Sequence, residues 1–128
     1  MRTISVVFYK RQPVRQDWDY KIDQNRLAHF FADLSADLNR FDFQVRCLQD
    51  DSVSIDIRGY GDLLNSIRIR APEAGFGNLC LGHIIGASPE RDIFADLRRG
   101  INRLAFAPET IEPEGSDKVV CHNCGCGC

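Results

Sequence analysis

Residues 121–128 read CHNCGCGC, four thiols and one imidazole in eight positions. The chain has six cysteines, so only Cys47 and Cys80 lie elsewhere. Cys121 and Cys124 have the C-x-x-C spacing that lets two thiolates close a small chelate ring on one soft ion. Cys124, Cys126 and Cys128 are separated by single glycines, whose backbone freedom lets neighbouring sulfurs turn toward one point. Holding all four sulfurs tetrahedrally on one Zn²⁺ would demand sharp turns from so short a segment. The C-x-C-x-C run better suits bridging thiolates, low-coordinate Cu(I), or a site completed by a second molecule. The expected ligands are Cys121, Cys124, Cys126 and Cys128, with His122 a further candidate. The expected cofactor is a soft metal ion, Zn or Cu(I), or an iron–sulfur cluster. A c-type haem site is excluded, because Gly125 stands where that motif needs histidine.

Two other chemistries use the same residues. Thiol–disulfide exchange would need a lowered thiol pKa, and the preceding acidic stretch acts in the opposite direction. Alternatively, the tail is a substrate. CHNCGCGC is similar to the Cys/Gly-rich cores of ribosomally made peptides, including cores acted on by radical-SAM enzymes. That resemblance covers eight of 128 residues. It implies a precursor whose body is the recognition domain for a modifying enzyme. Cys124-Gly125-Cys126-Gly127 also resembles the terminal CGCG of A-type iron–sulfur carriers. That family places a third cysteine upstream in a Cys-Ser-Gly stretch. Here Cys47 stands between Arg46 and Leu48, and Cys80 between Leu79 and Leu81, so the likeness ends at four residues.

The tail must be held by something, and composition divides the chain into three parts. Residues 1–106 carry 15 Lys+Arg against 14 Asp+Glu, a nearly neutral body with no basic field for nucleic acid. Residues 107–118, APETIEPEGSDK, have two Pro, one Gly and four acids, the composition of a solvated linker. Residues 119–128 are the Cys-rich tail. MRTISVVFYKRQ has too short an apolar run for a signal peptide, and no stretch approaches the ~20 apolar residues of a membrane span. The expected address is the cytoplasm, where thiols stay reduced and clustered cysteines read as metal-binding.

Within the body, residues 3–10 (TISVVFYK) are β-branched and aromatic and predict a strand. Leu27, Phe30, Phe31, Leu34, Leu38 and Phe41 recur in steps of three and four, predicting a helix over 22–41 with Asp23 as N-cap. Phe43/Val45/Cys47 and Val53/Ile55/Ile57 then alternate with polar residues. The QDDS between them predicts a hairpin turn, with Cys47 packed inside. GYGD predicts a second turn, and Ile67 and Ile69 a third strand. APEAGFGN reads as loop, 79–85 (LCLGHII) as a further strand, and Ser88-Pro89-Glu90 as the start of a second helix. Gly100 inside that helix predicts either a weak point or close packing. The order β-α-β-β-β-β-α gives an α+β two-layer sandwich: an antiparallel sheet of four or five strands with two helices on one face. In outline it resembles ferredoxin-like folds.

The body offers weaker chemistry. Cys80 and His83 have ligand-like spacing but sit in an apolar run, and read as core. The polar alternates Arg46, Arg58, Arg68 and Arg70, with Asp56, predict an Arg-bearing sheet face, read first as solvated with cross-strand ion pairs and alternatively as a surface that contacts RNA or a partner protein. That makes a small interaction or inhibitor protein a third alternative. No paired carboxylates or Ser/His/Asp arrangement point to an enzyme. Expected partners are a metal donor or acceptor, or a modifying enzyme, with a homodimer also possible.

Overall fold

The computed structural model of the chain describes residues 2–14, 21–86, 88 and 90–111. Strand β1 (Arg2–Pro13) leads to helix α1 (Gln24–Asn39) and strand β2 (Phe43–Ile57). Helix α2 (Tyr60–Asn65), strand β3 (Ile67–Ala71) and strand β4 (Phe76–Cys80) follow. Helices α3 (Leu81–Ile85) and α4 (Ile93–Phe106) complete the body, with short 3₁₀ turns at Pro72–Ala74 and Pro108–Thr110. The fold is an α+β sandwich on a four-stranded sheet of order β2-β1-β3-β4.

The sheet is mixed, where the alternation alone suggested it was wholly antiparallel. β1 and β2 run parallel, while β1–β3 and β3–β4 are antiparallel. A parallel pair needs a crossover, and α1 supplies it. The predicted hairpin within 43–57 is instead one strand. Its partners on β1 jump from Tyr9↔Asp50 to Lys10↔Ser54, so residues 51–53 are taken up without reversing the chain. The turn chemistry at QDDS is real but local. Asp50 Oδ1 accepts from the Ser52 amide at 3.0 Å and from its hydroxyl at 2.5 Å, closing an Asx turn inside the strand.

Helix α1 begins as predicted. Asp23 Oδ1 accepts from the amides of Asn25 (2.9 Å) and Arg26 (3.2 Å), satisfying two first-turn donors. Leu27, Phe31, Leu34 and Leu38 are its buried stripe. Phe41 lies beyond the helix end and is 55% exposed, stacked edge-on against Phe106 at 5.0 Å. Two further elements depart from expectation. GYGD, predicted as a turn, instead opens α2, because Tyr60, Leu63 and Leu64 fall at i, i+3 and i+4 and are all buried. Residues 79–85 divide: β4 ends at Cys80 and α3 starts at Leu81.

Helix α4 starts at Ile93, not at Ser88. Asp92 caps it through Oδ1 to the amides of Phe94 (3.0 Å) and Ala95 (3.4 Å). Ile93, Leu97, Ile101 and Leu104 are at most 2% exposed and meet Ile4, Val6 and Phe8 of β1 and Ile67 and Ile69 of β3 in one core. Gly100 is there because α3 comes close. A Cβ at this position would lie 2.6 Å from Leu81 Cδ1 and 3.5 Å from Ile85 Cγ2.

Candidate functional site

The five predicted ligands, Cys121, His122, Cys124, Cys126 and Cys128, lie outside the described residues, as do residues 112–118 of the expected linker. The structure does define where the described body ends. Folded packing continues past Phe106 into the first residues of the expected linker. Pro108–Thr110 form a 3₁₀ turn, and Ile111 is buried in the main core at 4% exposure. Arg103 pins this end. Its Nε donates to Thr110 Oγ1 at 2.9 Å, its Nη2 to the Thr110 carbonyl at 2.5 Å, and its Nη1 to the Ile84 carbonyl at the end of α3. Thr110 Oγ1 also donates to the Ala107 carbonyl at 2.7 Å. One guanidinium therefore ties α3, α4 and the turn together immediately before the acidic stretch begins.

The two body thiols differ sharply. Cys80 is 1% exposed, with its Sγ 3.6 Å from the Leu64 carbonyl, as expected of a core residue. Cys47 was expected inside and is exposed. It stands on the sheet's edge strand, beside an opening lined by Leu27 from the first turn of α1, so alternation alone does not bury it. Partial burial still pushes its thiol pKa up, which leaves less thiolate at neutral pH. His83 is half-buried on α3. Among the described residues no three His, Cys, Asp or Glu side chains come together as a metal-holding group.

The expected Arg-bearing face is not one surface. Arg46 on β2 and Arg58 just past its end are exposed, and Arg58 sits 3.9 Å from Asp56. Arg68 is 0% exposed, the largest fully buried side chain among the described residues. It occupies a row across three strands, Val7↔Arg68↔Cys80, in which every member is at most 1% exposed. Its Nη2 donates to Asn65 Oδ1 at 2.5 Å, and its guanidinium lies 5.6 Å from the Tyr9 ring centroid. Arg70 Nε donates to Asn78 Oδ1 at 3.0 Å, and Asn78 Nδ2 donates to the Tyr9 hydroxyl at 3.0 Å. Asp50 lies 3.9 Å from Arg70; hydrogen bonds from Ser52, more than that charge, hold its carboxyl below the usual aspartate value.

A second polar centre has no counterpart in the sequence reading. Asp96, 3% exposed in the first turn of α4, accepts from the Tyr60 hydroxyl and the Ser88 hydroxyl, each at 2.5 Å. Arg99 Nη2 donates to its other oxygen at 3.3 Å. The carboxylate thereby fixes α2 and the 86–92 connection onto α4. This is why Ser88, which looks like a helix cap, serves another role.

Among the described residues no helix is long and apolar enough to cross a membrane. No protein-family model, curated protein or solved structure matches the chain.

Proposed function

We propose that the protein binds a thiophilic metal through its Cys-rich tail, with the α+β body as the carrier of that tail. The observation that carries this is the cysteine distribution: four of six thiols in eight residues, at C-x-x-C and C-x-C spacings. Those spacings give soft ligands to Zn²⁺, Cu(I) or an iron–sulfur cluster. Cys121, Cys124, Cys126 and Cys128 are the proposed ligands, and His122 is a candidate fifth donor. The proposed setting is the cytoplasm, where the thiols stay reduced.

The construction of the body supports the same division of labour. Its core reaches Ile111 and uses neither Cys47 nor Cys80 as a cross-link. Arg103 anchors the turn before the tail, so the body can hold its shape whatever the tail binds. The proposed partner is a protein that donates or accepts the metal.

Binding requires deprotonated thiols, so affinity falls on acidification, and uptake releases protons. The test is a competition titration of the reduced full chain with Zn²⁺ and with Cu(I). Changing Cys121, Cys124, Cys126 and Cys128 together to Ser should abolish binding. Changing Cys47 and Cys80 to Ser should leave it intact. Binding that survives loss of all four tail thiols would overturn the proposal.

A further inference from the structure

Beside the edge strand β2, where β1 passes the first turn of α1, the body has a partly open cavity of about 140 Å³. Its apolar walls are Phe8, Leu27 and Leu48, and Cys47 stands among them. Arg11, Gln24 and Gln49 supply the polar groups. Arg11 Nη1 is buried and has no hydrogen-bond partner among the described residues. A guanidinium nitrogen in that position is costly unless something accepts from it. Burial accordingly lowers the Arg11 pKa, although the group stays a cation at neutral pH.

The remaining polar atoms define what would fit. Gln24 Nε2 donates to the Ile22 carbonyl at 3.3 Å, and Gln49 Nε2 donates to Asp51 Oδ1 at 2.7 Å. Each amide thus spends one N–H, and neither amide oxygen accepts a hydrogen bond from a described residue. The lining offers a guanidinium with an unsatisfied Nη1, two Gln amides and an apolar wall. We propose that this cavity binds a small carboxylate that also carries an N–H or O–H donor, such as a hydroxy acid or an amino acid. The planar guanidinium matches a carboxylate, and the Gln oxygens match the donor.

Size and charge narrow the class further. A void of this volume accommodates roughly six heavy atoms, since one of about 150 Å³ takes benzene. Phosphate fits less well. Among the described lining residues Arg11 is the one cation. The Asn25 and Arg26 amides of α1, which could otherwise serve an anion, are already taken by Asp23. This inference is independent of the metal-binding proposal and survives its failure.

The test is an amide NMR titration of the reduced full chain with L-lactate, L-alanine, the neutral isostere lactamide, and inorganic phosphate. L-lactate or L-alanine should give saturable shifts at Phe8, Leu27 and Leu48. Lactamide should bind at least about tenfold more weakly, and Arg11→Gln should weaken the acid by a similar factor. Should Arg11→Gln fail to fold, the unaltered chain supplies a second readout. Saturating acid, but not lactamide, should slow alkylation of Cys47, located by peptide mass mapping. Absence of saturable shifts, equal binding of lactamide, tighter binding of phosphate, or unchanged affinity in a folded Arg11→Gln variant would each overturn the proposal.

Discussion

Both faces of the sheet are buried around β1 and β3, yet they are built from different materials. Toward α1 and α4 the contacts are aliphatic and aromatic: Ile4, Val6, Phe8, Ile67, Ile69 and Leu97. On the other face Val7 and Tyr9 share space with Arg68, Asn78 and Cys80. The first face is stabilised by area removed from water and by close packing. The second is organised by directional bonds, Arg68 to Asn65 and Arg70 through Asn78 to Tyr9. A polar residue in an alternating strand therefore does not announce solvent. Its position in the sheet decides, and β3 lies between β1 and β4 while β2 lies at the edge.

The comparison can be broken by truncating one residue on each side. Leu97→Ala should cost about 2–5 kcal/mol in urea unfolding, because the 0% exposed side chain leaves a void. Arg68→Met keeps most of the volume and should cost less, about 1–3 kcal/mol, the penalty of leaving Asn65 Oδ1 without its donor. Combining it with Asn65→Leu sharpens the point. If directional bonding organises this face, the double variant should lose less than the sum of the single losses. Strict additivity would mean that packing alone holds both faces.

A smaller effect is expected at Gly100. Alanine would gain about 1 kcal/mol in helix propensity. It would also press on Leu81, which is 0% exposed, and overpacking typically costs about 1–3 kcal/mol. We expect a net loss of about 1 kcal/mol in Gly100→Ala, read from the urea midpoint. A stabilised variant would show that α3 yields at this crossing.

The smallest effect concerns pH. Hydrogen bonds from Ser52 favour the ionised form of Asp50. Because the folded value is depressed, the associated stability is present above the usual aspartate pKa. It is lost as pH falls through the lower folded value. In Ser52→Ala the Asp50 carboxyl, followed by NMR titration, should move up toward the ordinary value. No movement would assign the depression to the residue-52 amide and Arg70 instead.

Local signals were largely legible in the sequence, and long-range placement was not. The α+β class, the Asp23 cap and the α1 stripe through Leu38 follow from spacing and side-chain chemistry. QDDS carries true turn chemistry, but an Asx turn can reverse a chain or be absorbed within a strand, and only pairing with β1 decides. Cys47 and Arg68 both obey the alternation that predicted them. One is exposed and the other buried because strand order sets cover, and strand order is not local. The Asp96 centre joins residues 60, 88 and 96, too far apart for any motif to show. The tail is the reverse case, since the chemistry proposed for it rests on eight consecutive residues.

That chemistry is most directly tested by the intact mass of the protein from its native source, measured under native and then denaturing conditions. Metal binding by the tail predicts an adduct of metal mass in the native spectrum that disappears on denaturation and is absent when the four tail cysteines are Ser. Added mass that survives denaturation and maps to residues 121–128 would contradict it and identify the tail as a modified substrate. An unmodified, metal-free chain would contradict it as well.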